Sequence, residues 1–155
     1  MNKTTNFKRT KSIMCLLMLI VLIQSCIPIR LINVYDEITD NAVTELQEKV
    51  SVYFVQLERD LVVDINKAKY ENFTKQLDEI KVDLNTIEVR ANAFEKNRIM
   101  SQQVQGLKNM IENLEILHKQ GFTNVNQIKP LKKSFNVAFT AIIKFQLALK
   151  RGKKN

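Results

Sequence analysis

The sequence predicts an all-α protein, folded as an antiparallel up-down four-helix bundle. Glycine and proline, which interrupt regular structure, number only three and two in 155 residues. No segment shows the two-residue alternation of a strand. Four segments instead repeat apolar residues at alternating spacings of three and four. That spacing places each set on one side of a helix, close to the 3.5-residue period of shallow-angle packing. A three-helix bundle with one kinked helix is the alternative.

The four periodic segments contain the residues that we predict to form the core. They run from about Asp36 to Val62, Lys69 to Glu95, Ser101 to Lys119 and Pro130 to Arg151. The first two stripes are Ile38, Ala42, Leu46, Val50, Tyr53, Leu57 and Leu61, then Tyr70, Phe73, Leu77, Ile80, Leu84, Ile87, Ala91 and Phe94. The last two are Val104, Leu107, Ile111, Leu114 and His118, then Leu131, Phe135, Ala138, Ile142, Phe145 and Leu149.

Residues at the ends of these segments fit helix boundaries. Asp36 or Thr39 can cap the first helix and Ser101 the third, each by accepting a bond from an otherwise unpaired amide. Gly121 follows the third segment, where a left-handed residue commonly stops a helix. Pro130 suits the first turn of the fourth, where its missing N–H has no intrahelical partner. Connections of roughly five to ten residues favour antiparallel neighbours.

Seven apolar residues fall outside the stripes of the first two segments. They are Val52, Phe54, Val55, Val62, Val63, Val82 and Val89. Such residues either widen the core face of a globular bundle or form a surface patch for a partner or a second copy. The sequence leaves both interpretations open.

The first 26 residues have the layout of an export signal. Four basic residues come first, at Lys3, Lys8, Arg9 and Lys11. About eleven apolar residues follow, from Ile13 to Ile23, which is short of the roughly 20 that span a bilayer.

The segment Ile23-Gln24-Ser25-Cys26 resembles the lipobox of bacterial lipoproteins. In that family a branched aliphatic residue stands three before the cysteine and a small residue just before it. The cysteine thiol receives a diacylglyceryl group. Ile23, Ser25 and Cys26 match, whereas Gln24 replaces the commoner small residue. The resemblance implies lipid attachment at Cys26 and a membrane partner held through that lipid. Ile27, in place of an aspartate, implies the outer membrane, facing the periplasm or the surface.

Three other interpretations of this segment remain. Cys15 is a second possible lipid site, although Met14 before it is bulky. Cleavage after Ser25 as an ordinary secretory signal releases a soluble or periplasmic protein. An uncleaved helix from Ile13 to Ile29 anchors the chain in the inner membrane.

The lipoprotein interpretation divides the chain into four parts. Residues 1–25 are the signal peptide, 26–35 the lipidated cysteine and tether, 36–151 the bundle and 152–155 a basic tail. The whole chain has a net charge of +8, but all 16 acidic residues follow Cys26. Removal of the signal leaves 20 basic residues and a net charge of +4. That charge is too mild to indicate a nucleic-acid partner.

Positive charge is concentrated near the end of the fourth segment, from Lys150 to Lys154. The interpretations are a solvated helix terminus and contact with anionic lipid headgroups or cell-wall polymer. The stretches Ala138–Lys144 and Leu147–Gly152 resemble the closing helix of small exported bacterial helical proteins. This resemblance covers about fifteen residues and carries over no functional residues.

The sequence does not contain the parts of an enzyme or a cofactor site. No G-x-S-x-G elbow or glycine-rich phosphate loop occurs. Glu115 and His118 form the Glu-x-x-His half-motif of di-iron bundles, but His118 is the only histidine. Met100, Met110 and His118 share one helix, so no two can flank one haem iron. We expect His118 to be satisfied by the helix dipole and exposed carbonyls, and we predict no metal, no cofactor and no catalysis.

Two functions fit these expectations. The first is a lipid-anchored envelope protein of non-enzymatic interaction or scaffolding type, with an envelope protein or a second copy as its partner. The alternative is an exported carrier of an apolar or cofactor-like ligand. The ligand would lie between the helices, lined by Phe73, Phe94, Phe135, Phe145 and the methionines of the third helix.

Overall fold

The structure, a computed structural model, describes residues 35–94 and 97–152. These residues form four α-helices: α1 (Glu37–Val63), α2 (Thr74–Ala93), α3 (Arg98–Gln120) and α4 (Lys129–Gly152). Short 3-10 turns at Tyr70–Asn72 and Val125–Gln127 precede α2 and α4. The prediction of an all-α bundle with four helices is confirmed for this part of the chain.

The four helices contact one another in a closed ring. α1 packs on α2, α2 on α3, α3 on α4, and α4 on α1. Contacts between α1 and α2 include Asp36–Arg90, Lys49–Asp83 and Gln56–Gln76. Contacts between α2 and α3 include Lys81–Glu115 and Glu88–Lys108. In both sets the residue number rises along one helix as it falls along the other.

Most predicted boundaries hold. Asp36 precedes α1 and its carboxylate accepts from the Thr39 amide at 3.3 Å. Gly121 follows α3 with a φ of 91°, which L side chains rarely adopt, so a glycine suits this stop. Pro130 is the second residue of α4. These three predictions are confirmed.

Two boundary predictions are wrong. The second helix does not begin at Lys69: Asn72 donates to the carbonyls of Asn66 and Lys67, which folds the connection into a 3-10 turn, so α2 starts at Thr74. Ser101 does not cap the third helix. α3 begins at Arg98, one turn earlier, and Ser101 lies inside it.

The core contains most of the predicted stripes. Fully buried side chains from α1, α2 and α3 include Leu46, Tyr53, Leu57, Leu77, Ile80, Ile87, Leu107, Ile111 and Leu114. α4 contributes Phe135, Phe139 and Ile142, together with the polar Gln146. Phe139 and Gln146 were not among the predicted core residues, because that stripe was placed one residue away from them.

Two residues predicted to be buried are exposed. Ile38 is 60% exposed, because at about 100° per residue it lies about 80° from Leu46, whereas Thr39 lies about 20° away and is buried. Phe94 is 39% exposed, because α2 ends at Ala93 and Phe94 adopts extended backbone.

Of the seven apolar residues outside the stripes, one belongs to the core and six lie at the surface. Phe54 is buried and its ring centroid lies 5.4 Å from that of Phe135. The six valines of the set are exposed by 54–76%. Phe54 therefore widens the core, and the valines lie at the surface. Among the described helices, none has a stretch long and apolar enough to cross a lipid bilayer.

Candidate functional site

His118, in the last turn of α3, lies in a cage of aromatic rings. The imidazole is 1% exposed. Its centroid lies 5.1–5.8 Å from the rings of Tyr53, Tyr70, Phe73 and Phe122. The expectation that exposed carbonyls would satisfy His118 is therefore wrong. The residue is on the core stripe, as predicted, and its nitrogens find partners inside the bundle.

Both ring nitrogens of His118 are hydrogen bonded. Nε2 lies 2.8 Å from the carbonyl oxygen of Ala68, and Nδ1 lies 2.5 Å from the hydroxyl of Tyr53. A carbonyl can only accept, so Nε2 carries the proton of the neutral ring. The Tyr53 hydroxyl must then donate to Nδ1. The imidazole joins α1, the connection after α1, and the end of α3.

Burial makes the charged forms of this pair unfavourable. Desolvation lowers the pKa of His118, although the bond to Ala68 and the charge of Glu71 act in the opposite direction. Desolvation is also the main cause of the raised pKa of Tyr53. A protonated imidazole would have to donate from Nδ1 to Tyr53 and would leave that hydroxyl proton in need of a new acceptor. The neutral pair is the one that fits this cage.

Glu115, one turn before His118, is the centre of a surface network beside the cage. Its carboxylate lies 2.5 Å from Lys81 Nζ and 2.9 Å from Lys119 Nζ, and it accepts from the Tyr70 hydroxyl at 2.7 Å. The hydrogen bond from Lys81 is the largest influence that lowers the pKa of Glu115 to about 2. Glu115 therefore remains ionised at every pH where the protein is expected to function.

This arrangement suits structural support. Both nitrogens of His118 are engaged by protein atoms, and the Glu115 carboxylate is neutralised by two ammonium groups. The Glu-x-x-His half-motif is therefore occupied by internal partners. Within residues 35–94 and 97–152, no group of three or more His, Cys, Asp or Glu side chains is placed to hold a metal ion.

The side chains proposed to line a ligand pocket are spread through the bundle. Phe73 packs on Tyr53 beside His118, at a centroid separation of 5.2 Å. Phe94 lies 21 residues farther along, about 30 Å away at the helical rise. Five surface grooves on the described bundle are lined mainly by charged and small residues, with none of the four phenylalanines in their walls. The structure does not bring these aromatic residues together at one site.

Five exposed valines on two contacting helices are together called the valine face: Val52, Val55 and Val62 on α1, and Val82 and Val89 on α2. Each lies two residues after a buried one, which turns it about 160° from the core direction. Lys49 forms a 2.7 Å ion pair with Asp83 across the two helices. Lys49 lines two grooves, one of which is also lined by Val82 and the other by Val52. Val52 and Val82 therefore lie in grooves that share a member of that ion pair.

Tyr53→Phe tests the hydrogen bond inside the cage. The substitution leaves His118 Nδ1 buried without a donor, at an expected cost of about 1–3 kcal/mol in the free energy of unfolding. Tyr70→Phe is the matched control, because Glu115 retains both lysines; we expect a loss below about 1 kcal/mol. Urea denaturation measures both. Equal losses would show that the buried bond contributes no more than the peripheral one.

The lowered pKa of His118 gives stability a defined pH dependence. Below the ordinary pKa of about 6.5, the unfolded chain binds a proton that the folded chain resists, so the free energy of unfolding falls as pH drops from about 7 toward 5. His118→Gln should remove this slope, whatever its effect on absolute stability. The pKa values of Asp36 and Glu115 are lowered to about 2. Protonation of these two carboxylates should therefore lower the free energy of unfolding of both proteins below about pH 4.5. An unchanged slope between pH 7 and 5 in the variant would contradict the assignment.

Cys26, the predicted lipid site, lies outside the described residues, as do the signal peptide and most of the tether. The partners of His118 were not predicted from the sequence, although Tyr53 and His118 both lie on core stripes. Buried polar side chains need hydrogen-bond partners, so the presence of two of them on core stripes is a signal that they bond to each other.

Comparisons with protein-family models, with curated proteins and with solved structures found no match to this chain.

Proposed function

We propose that this chain is a lipid-anchored, non-enzymatic interaction or scaffolding protein of a bacterial envelope. Cys26 is the anchor, residues 27–35 are the tether, and the helical bundle presents the docking surface. The lipobox-like segment supports the anchor, and Ile27 supports the outer membrane as its location. The partner is an envelope protein or a second copy of the chain.

The valine face is the observation that carries the docking role. A valine in a helix is less favourable than an alanine by up to about 0.7 kcal/mol, and an exposed one recovers little of this by burial. Val62 and Val82 are 76% and 64% exposed, and the other three members are exposed by more than half. Apolar surface of this kind on neighbouring helices favours contact with a partner.

The packed interior supports binding at the surface over chemistry inside the bundle. His118 is bonded by Tyr53 and the Ala68 carbonyl, and Glu115 is paired with two lysines. The aromatic residues that a ligand carrier would use are engaged in core packing or lie far apart. An interaction protein needs only a rigid body with an exposed recognition face, which this bundle provides.

Metabolic labelling with radioactive palmitate tests the anchor. The protein expressed in a bacterial cell should incorporate label and fractionate with membranes, because the Cys26 thiol receives the diacylglyceryl group. Cys26→Ala should lose the label, and Cys15→Ala should retain it. Unlabelled protein released into the periplasm or medium would contradict the anchor and would favour the soluble ligand carrier.

Site-specific photo-crosslinking tests the docking surface. A photoreactive residue replacing Val55 or Val82 should give one discrete adduct in cells, because both positions belong to the valine face. Val137 on α4 is the matched control: it is also a valine, 63% exposed against 54% for Val55, but lies on another helix. An adduct of twice the chain's mass would identify a second copy as the partner. Equal adducts at Val137 and Val55 would contradict a specific face.

A further inference from the structure

The start of α1 and the end of α4 lie together at one end of the bundle. The Tyr35 hydroxyl donates to Asp40 at 2.8 Å, and the Nζ of Lys150 lies 5.2 Å from the centroid of the Tyr35 ring. Asp36, the next residue, pairs with Arg90 near the end of α2. We call this the tether end, because the described chain begins there.

The position of Cys26 limits how far the tether end can be from the membrane. Nine residue steps separate Cys26 from Tyr35, and a fully extended chain of that length spans at most about 30 Å. The opposite end of the bundle is farther from Tyr35, because α1 extends 27 residues, about 40 Å, away from it. With a lipid on Cys26, the tether end is therefore the one held near the headgroups.

Helix α4 brings positive charge to the tether end. Three of its six basic residues, Lys144, Lys150 and Arg151, lie within its last nine residues, which include no acidic one, and all three are exposed. Arg98 at the start of α3 is also exposed there. The sequence continues with Lys153 and Lys154. This end also contains three acidic residues of the α1 start, Asp36, Glu37 and Asp40. Asp36 is paired with Arg90, and Asp40 accepts from the Tyr35 hydroxyl.

Exposed apolar side chains accompany this charge. Ile38 in the first turn of α1, Phe94 after α2, Ile99 in the first turn of α3 and Leu147 near the end of α4 are 39–60% exposed. The α3 and α4 positions belong to the same level of the bundle, because the Gln146 amide contacts the sulfur of Met100. Basic and apolar groups side by side are the composition of surfaces that rest on anionic lipid headgroups.

We propose that the tether end is a membrane-contact surface that rests on the anionic headgroups around the lipid anchor. Lys150 and Arg151 supply the charge and Leu147 part of the apolar contact. This inference rests on the proposed lipid anchor at Cys26. The inference adds an orientation of the bundle to that anchor: α1 to α4 stand with the tether end on the bilayer and the His118 end away from the bilayer.

The test places one fluorophore at either end of the acylated protein. The lipid occupies Cys26 and cleavage removes Cys15, so an introduced cysteine is the only free thiol. Leu147→Cys marks the tether end and Leu117→Cys the opposite end, with similar exposures of 43% and 37%. Leu117 lies 17 residues beyond Met100, roughly 25 Å farther along the bundle. Protein is reconstituted into vesicles of phosphatidylethanolamine and phosphatidylglycerol that contain a headgroup-attached nitroxide quencher.

We expect several-fold stronger quenching at position 147 than at position 117. Lys150→Glu with Arg151→Glu should reduce quenching at position 147, as should vesicles of phosphatidylcholine alone. Lys129→Glu with Lys133→Glu is the matched control, because it reverses two exposed charges at the start of the same helix, away from the tether end; it should leave quenching unchanged. Circular dichroism confirms that each variant remains helical.

Equal quenching at the two positions would overturn the proposed surface, as would quenching at position 147 that ignores both lipid charge and the Lys150 and Arg151 reversal. An equal effect of the Lys129 and Lys133 reversal would also overturn it. Mass spectrometry separates these results from failure of the anchor. A purified protein without the diacylglyceryl mass overturns the anchor and this orientation together, whereas an acylated protein with equal quenching rejects only the orientation.

Discussion

Each helix has one apolar stripe that leaves water only by packing on its neighbours, and the other features of the molecule depend on this mutual burial. Both cysteines of the chain precede the described residues, so no disulfide lies within the bundle. Burying a side chain such as Leu46 or Leu57 contributes about 1.5–3 kcal/mol, while ordering each residue costs roughly 1–2 kcal/mol. Stability therefore depends on all four stripes packing together. Surface pairs such as Lys49–Asp83 add little to it.

The polar groups inside the bundle restrict how the stripes meet. His118 satisfies its two nitrogens only when Tyr53 and the Ala68 carbonyl are both in place. A shift of α3 by one turn, about 5.4 Å, would break both bonds and leave buried polar atoms unpaired. Asn97 restrains the connection from α2 to α3 in a similar way, because its amide donates to the Ala91 carbonyl at 3.0 Å. Apolar packing supplies the driving force, and these bonds favour one arrangement.

The helical architecture could be predicted from the sequence because it depends on periodicity, which every turn repeats. The predictions failed where a single local event decides the outcome. Ile38 and Thr39 are adjacent, and only the angular drift of a real helix selects Thr39 for the core. Helix α2 starts late because Asn72 binds carbonyls of the preceding loop, a contact that no periodic pattern contains.

The candidate sites show the same contrast between what periodicity predicts and what a single contact decides. That Tyr53 and His118 are core residues followed from their spacing, but their pairing is a contact between positions 65 residues apart, which spacing along one helix does not report. The valine face required the structure as well, because the sequence pattern was also compatible with a wider core. Phe54 was buried and Val55 was not, although they are neighbours.

The contacts at Asp36 have a mechanical consequence for an anchored protein. The Asp36 carboxylate accepts from the Thr39 amide of α1 and from the Arg90 guanidinium of α2, while the adjacent Tyr35 contacts Lys150 of α4. Tension arriving along the chain before residue 35 is thus divided among three helices at the point where it enters. The first turn of α1 is loaded together with α2 and α4, so a pull on the proposed tether would have to break contacts with both before it could peel α1 away.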